Sequence, residues 1–275
     1  YHLAKRKSIK LRELPMDDTT GEIEINKLPY IFSKETPAAV FCTHISNVTG
    51  YILPVDEIFS ESKRYGSINV LDMAQSLGLI EYDVRKNKGI DIIAFAGHKS
   101  LYGPFGVGGF INVAHIPLND FIVGGTGSDS LNLEMPMGNE ARYESASSNV
   151  VAIAGLKAAL DVLNVKKIYE HEKMLTEYLL EKLLTLPNIK VFVPNDKDRH
   201  IGIISFVVNE YKSDDVGMIL DEDYNIAVRT GYHCAPYIHM HLKDEKYLGT
   251  VRVGLSQFTS KEELDRLINA LKELG

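Results

Sequence analysis

Apolar positions along this chain fall into two alternating kinds of stretch. Short apolar runs at 38–43, 67–71, 90–96 and 105–112 read as β-strands, the last of them glycine-spaced. Between the first two, residues 55–64 carry amphipathic helical spacing behind Pro54. Strands alternating with crossover helices predict an α/β fold around a mostly parallel sheet. From 150 to 186 the spacing is helical for most of the length, through Ile153, Leu156, Leu160, Leu163, Leu175, Leu179 and Leu183. This segment is the natural bridge between domains. Beyond Pro187 strands at 189–193, 201–208 and 251–255, with helices at 214–220 and 262–274, predict a smaller α+β domain. The expected boundary lies near 160, with 1–160 the larger domain and 161–275 the smaller.

Composition narrows the class. The 275 residues are 45% hydrophobic and 24% charged, the balance of a folded globular protein. The net charge of −7 gives no general attraction to nucleic acid or to an anionic membrane surface. No apolar run reaches the ~18 residues of a membrane span. Two cysteines cannot build a disulfide scaffold, so a reducing, cytoplasmic setting is expected.

Ligands of open α/β sheets bind beyond the carboxyl ends of the strands, so the polar residues there carry the most weight. The first strand leads to His44 and Asn47, the second to Asp72 and Gln75, the third to His98 and Lys99. Lys99 follows an apolar strand and precedes Tyr102-Gly103-Pro104, which should partly shield its amine. Shielding favours a neutral, nucleophilic amine able to form an imine with a carbonyl cofactor. An ordinary surface lysine at a strand end is the other reading. Gly97-His98-Lys99-Ser100 is not a phosphate loop, because His98 separates glycine from lysine and the leading glycine is absent. Asp72 is either the N-cap of a helix in the following segment or a carboxylate that holds a proton on a pyridine nitrogen. Gln75 either shares that pocket or faces solvent.

The second focus is Arg229-Thr230-Gly231-Tyr232-His233-Cys234-Ala235-Pro236. A cysteine in a loop bounded by glycine and proline has the setting of a reactive thiol, with His233 as a candidate helper. Cys42, within an apolar strand, reads as a small core residue. His233, Cys234, His239 and His241 could instead ligate zinc, although their spacing matches no common zinc signature. Arg252, inside an apolar alternating run, either faces solvent or pairs with an anion such as a substrate carboxylate.

Together these pieces resemble the class V aminotransferases, pyridoxal-phosphate enzymes of fold type I, and within them the group-II cysteine desulfurases. The matching motifs are His44-Ile-Ser-Asn47-Val-Thr-Gly50, Asp72-Met-Ala-Gln75, Gly97-His98-Lys99-Ser-Leu-Tyr-Gly-Pro104, Arg142-Tyr-Glu-Ser-Ala-Ser-Ser-Asn149 and Arg229-Thr-Gly-Tyr-His-Cys234-Ala-Pro. They run in the family's order. The resemblance implies an aspartate-aminotransferase-like large domain with a smaller C-terminal domain. It implies that Lys99 carries pyridoxal 5'-phosphate as an imine, Asp72 pairs with the ring nitrogen, Gln75 contacts the ring oxygen and His98 the phosphate. Asn47 and Arg252 match positions that hold the substrate carboxylate, and Cys234 matches the nucleophile that takes sulfur. A homodimer, with Ser147 of one protomer reaching its partner's phosphate, and a sulfur-acceptor protein are also implied, with no metal, nucleic acid or membrane. The activity implied is conversion of L-cysteine to L-alanine with a persulfide on Cys234, for sulfur mobilisation and iron–sulfur cluster assembly.

Three departures stand against the family pattern. Ala96 occupies a position where the family has a serine or threonine for phosphate, and Ser147 replaces a threonine. The family's N-terminal third has no counterpart before Ala38. It carries a phosphate-binding turn and a residue that stacks on the ring, and 1–37 is expected to be the strand and linker that follow it. Weak cofactor binding is therefore expected of the chain as it stands. A selenocysteine lyase, a class V aminotransferase or epimerase, and an inactive fragment that only dimerises or docks are the competing readings.

Overall fold

The computed structural model describes residues 2–17, 20–87, 89–125, 131–137 and 140–274, and Tyr1 lies outside them. Two four-stranded sheets organise the chain. The first runs β1 (Ala39–Thr43), β2 (Ile68–Asp72), β3 (Ile92–Ala96) and β4 (Gly108–Asn112) in that order. β1, β2 and β3 are parallel and β4 antiparallel, so the carboxyl ends of the first three share one edge.

Alternation along these strands decides which face is covered. Val40, Cys42, Leu71 and Ile93 point to one side and pack against helices α2 (Leu28–Lys34) and α3 (Val55–Lys63) through Leu28, Phe32, Ile58 and Phe59. Burial pushes the Cys42 thiol up to about 12, as expected of a core residue. Asn69, in the same buried layer, donates to the carbonyls of Phe59 and Gly89 at 3.2 and 2.7 Å and accepts from Ser62. The opposite face leaves Phe41, Ile68 and Phe110 exposed.

The N-terminal segment differs from expectation. Among the described residues of 2–37 no strand forms; α1 (His2–Lys7) and α2 do. Leu28 and Phe32, four residues apart in a helix with Pro29 in its first turn, lay one helical stripe under the sheet. The strand expected over 105–112 starts only at Gly108, because 103–107 folds back on Gly97.

The bridge is two helices rather than one, α4 (Val150–Val162) and α5 (Val165–Leu183). Leu163 turns extended, and the Asn164 side chain caps the second helix by accepting from the Lys167 amide at 3.0 Å. The second sheet is antiparallel throughout, in the order β5 (Ile189–Phe192), β6 (Ile203–Val208), β8 (Thr250–Gly254), β7 (Arg229–Gly231). Its core joins Ile204, Phe206 and Val251 to Leu175, Leu179 and Leu183 of α5, Val216 and Leu220 of α6 (Ser213–Tyr224), and Leu264, Leu267 and Leu271 of α8 (Lys261–Glu273). A short α7 (Pro236–Leu242) follows the cysteine loop.

Candidate active site

Three strand ends meet at the shared edge of the first sheet. After β1 the chain turns through His44 and Asn47 to Gly50. That glycine is required: its φ is +68°, and a Cβ there would lie 2.2 Å from the Ile203 carbonyl oxygen. His44 is buried, its Nδ1 3.0 Å from the Ser76 hydroxyl and its ring packed edge-on against Tyr82. Burial holds this imidazole down at about 4, so it braces the turn after β2 as a neutral ring. In that turn Asp72 is exposed and one carboxylate oxygen accepts from the Ala74 amide at 2.8 Å. Among the described residues no helix forms between β2 and β3, so the expected helix N-cap is not formed; the carboxylate closes a turn instead, and its other oxygen stays open for a ligand.

The lysine turn is tied to the same edge. Ser100 donates its hydroxyl to the main-chain oxygen of Gln75 at 2.7 Å, and the Gly103 amide donates to Gly97 at 2.8 Å. His98 is exposed and its ring stacks on Phe105, centroids 4.8 Å apart. Lys99 is exposed as well, which corrects the expected shielding. Tyr102, expected to help shield it, has its hydroxyl bonded to Glu172 and its ring packed on Phe258. Ala96 is half-buried on the face opposite the helices, and Ser147 is exposed ahead of α4.

The second sheet brings the cysteine loop to Asn47. The Asn47 side-chain amide donates to the His233 carbonyl at 2.7 Å, and Arg252 donates from Nη1 to the Asn47 carbonyl, also at 2.7 Å. Between these clamps Gly231, His233 and Cys234 all take positive φ, 88°, 50° and 63°. Two consecutive non-glycine residues in the left-handed region are costly and persist only where the surroundings over-determine them. They present Cys234 exposed.

His233 is engaged away from the sulfur through its Nε2. Its ring is buried with Nε2 2.9 Å from the Thr250 hydroxyl and 3.1 Å from the Thr250 carbonyl. Burial and the nearby Arg252 hold it at about 4. The contact to the sulfur is made by Arg229, whose Nη2 lies 3.3 Å from Cys234 Sγ. His239 pairs through Nδ1 with buried Asp244 at 2.6 Å. Among the described residues no group of three or more His, Cys, Asp or Glu side chains gathers as a metal site.

Arg252 is half-buried with its Nε buried and without a hydrogen-bond partner. Arg229 stands close enough to push its guanidinium downward, after burial itself. Two like charges with an unused buried donor form a place for an anion. Residues that sequence reasoning missed are Glu172, whose carboxyl contacts Tyr102, and the contact of Arg229 with the thiol. Both join distant segments, and only the arginine's place in the cysteine motif could have signalled its contact.

The family model described as aminotransferase class V matches residues 1–267. A probable cysteine desulfurase of Pyrococcus abyssi is 34% identical over 285 residues, covering 99% of this chain and 67% of that protein. The cysteine desulfurase of Pectobacterium carotovorum subsp. carotovorum is 31% identical over 280 residues, covering 99% and 66%. Among solved structures, the apo cysteine desulfurase from Thermococcus onnurineus NA1 superposes with a TM-score of 0.87 at 29% identity, covering 99% of this chain and 68% of that one. The chain spans about two thirds of the length of these relatives. No helix among the described residues is long and apolar enough to cross a membrane.

Proposed function

The chain belongs to the class V aminotransferase family, and on that premise we propose that it acts as a pyridoxal-phosphate-dependent cysteine desulfurase. The substrate is L-cysteine, and the products are L-alanine and a persulfide on Cys234 for transfer to an acceptor protein. The division proposed is a cofactor-holding part at 1–160 and a smaller α+β domain at 161–275. Working as a homodimer, each protomer would lend Ser147 to its partner's phosphate. Its two free thiols accord with a cytoplasmic location.

The residues at the sheet edge fit the cofactor. Lys99 offers an exposed amine, Asp72 a carboxylate oxygen still open, Gln75 a half-buried amide and His98 an exposed ring. Lys99 would anchor the group, Asp72 would hold a proton at the ring nitrogen, and His98 with the partner's Ser147 would take the phosphate. Bound pyridoxal phosphate supplies an electron-accepting ring that stabilises negative charge at the substrate α-carbon.

The protein's own groups do the rest. Arg252, with its unused buried Nε, binds the substrate carboxylate beside Asn47. The Lys99 amine moves the α-proton. The Cys234 thiolate attacks the substrate sulfur, a sulfur–sulfur bond forms and the carbon–sulfur bond breaks. Its electron pair stays with the carbon skeleton that leaves as alanine. Arg229, in contact with the sulfur, orients it for this attack.

The observation that carries the reading is the exposed Cys234, held in a left-handed loop by Asn47 and met by Arg229. Mass spectrometry after exposure to L-cysteine is expected to show one added sulfur on Cys234, with alanine released. Full turnover of L-cysteine by Cys234→Ala would overturn the reading, since transamination or epimerisation has no use for this thiol.

A further inference from the structure

We infer that Glu172 is a positioning residue for Lys99, acting through Tyr102; the inference rests on Lys99 being the amine that anchors the cofactor. Glu172 lies on α5, whose neighbouring turns build the second core, yet its carboxyl faces away from that core and meets the lysine turn. It is 4% exposed, and its Oε1 accepts from the Tyr102 hydroxyl at 3.3 Å. That hydroxyl accepts in turn from the Gln257 amide at 3.0 Å, beyond β8. The Tyr102 ring is packed edge-on by Phe258 at 5.7 Å. Its backbone amide donates to the Lys99 carbonyl at 2.8 Å. A continuous path of hydrogen bonds and packing therefore leads from the acid to the lysine.

The surroundings fix the backbone of this residue and leave room for its carboxyl. Thr176, one helical turn on, donates to the Glu172 carbonyl at 2.7 Å and accepts from the Gly202 amide at 2.9 Å. Gly202 has a φ of +72°, and a Cβ there would stand 2.9 Å from Glu172 Oε2. The bare backbone of Gly202 makes room for the acid. The lysine turn, through Tyr102, and the approach to β6, through Gly202, thus meet at this residue, while the chain after β8 reaches it only through the Tyr102 hydroxyl.

An acid is a poor choice if stability alone is at stake. Burying it is costly unless it is well paired, and an apolar side chain of similar volume would serve packing better. Burial also pushes Glu172 up to about 7. What the acid provides is a directional acceptor for Tyr102. Lys99 itself is exposed, and its turn has two outward tethers: Ser100 to the loop after β2, and Tyr102 to Glu172. The second fixes the turn from the side of the smaller sheet.

The test compares wild type, Glu172→Gln, Glu172→Ala and Tyr102→Phe. The first readout is the rate at which an amine-acylating reagent modifies Lys99 in the cofactor-free protein, mapped by peptide mass spectrometry with exposed Lys157 as internal control. The second is the pH midpoint of the visible absorbance after adding pyridoxal phosphate. Tyr102→Phe and Glu172→Ala are expected to change Lys99 labelling at least threefold and to shift the midpoint, with Lys157 unchanged. Glu172→Gln keeps an acceptor oxygen and is expected to label as wild type. Unchanged Lys99 labelling and midpoint in Tyr102→Phe, whatever the melting temperatures, would overturn the inference. Borohydride reduction of the wild type with pyridoxal phosphate separates the two levels. Label on Lys99 with indifferent variants sinks only the positioning role, whereas label on another lysine sinks the underlying assignment and the inference with it.

Discussion

Asn47 donates its side-chain amide to the carbonyl of His233 at 2.7 Å, joining the first sheet's edge to the residue before the exposed cysteine. The bond restrains a loop whose backbone is otherwise unfavourable. Asn47→Ala is expected to loosen Cys234 and slow persulfide formation about tenfold, the loss of roughly one hydrogen bond of ~1.5 kcal/mol. Single-turnover mass spectrometry of Cys234 checks this, and an unchanged rate would place the bond outside the mechanism.

Arg252 reaches the same asparagine from β8 while keeping a buried Nε unused. Arg252→Ala is expected to raise KM for L-cysteine about thirtyfold or more, from loss of a charge-assisted contact of ~2 kcal/mol or more. The affinity for pyridoxal phosphate should change far less. Equal losses in both would make the arginine structural.

Arg229 contacts Cys234 Sγ at 3.3 Å. Its guanidinium is the charged group in contact with the sulfur, and Arg229→Ala is expected to slow iodoacetamide alkylation of Cys234 several-fold. Arg229→Lys should recover part of the rate. Buried Cys42 serves as the internal reference.

Opposite pH trends follow from two buried groups. Glu172 is raised from 4.5 to about 7, so its stabilising contribution is complete below about 4.5 and is lost as pH rises through 7. Glu172→Gln cannot ionise and should gain on the wild type across that interval, by up to ~3 kcal/mol at pH 8. His233 is lowered from 6.5 to about 4, so its contribution is complete above 6.5 and is lost as pH falls toward 4. Thermal melts of wild type, Glu172→Gln and His233→Gln from pH 4 to 8 test both trends. Parallel curves for wild type and Glu172→Gln would refute the placement of the acid.

Ala96 ends β3 with no hydroxyl to offer a phosphate. Ala96→Thr suits a strand and adds one donor, so the Kd for pyridoxal phosphate is expected to fall about tenfold. Fluorescence titration measures it. No improvement would mean that the phosphate lies elsewhere.

The sequence by itself determined what is local and periodic. The apolar runs at 38–43, 67–71 and 90–96 mark three strands, and the helical spacing at 55–64 marks the first crossover, so that Asp72, Gln75 and the Lys99 turn come to one edge of a parallel set. The order of short motifs marked the family. The break between α4 and α5 was invisible to periodicity because Leu163 fits the helical pattern while Asn164 caps a new helix. Only the tertiary structure decided that Lys99 stands exposed, that His233 turns from the sulfur to Thr250, and that Arg229 takes its place. It also decided that Glu172 meets Tyr102 across 70 residues and that Asn47 meets His233 across 186. The physical reason is the same in each case. Burial and the direction of a side chain depend on every element packed around it, and no spacing along the chain encodes them.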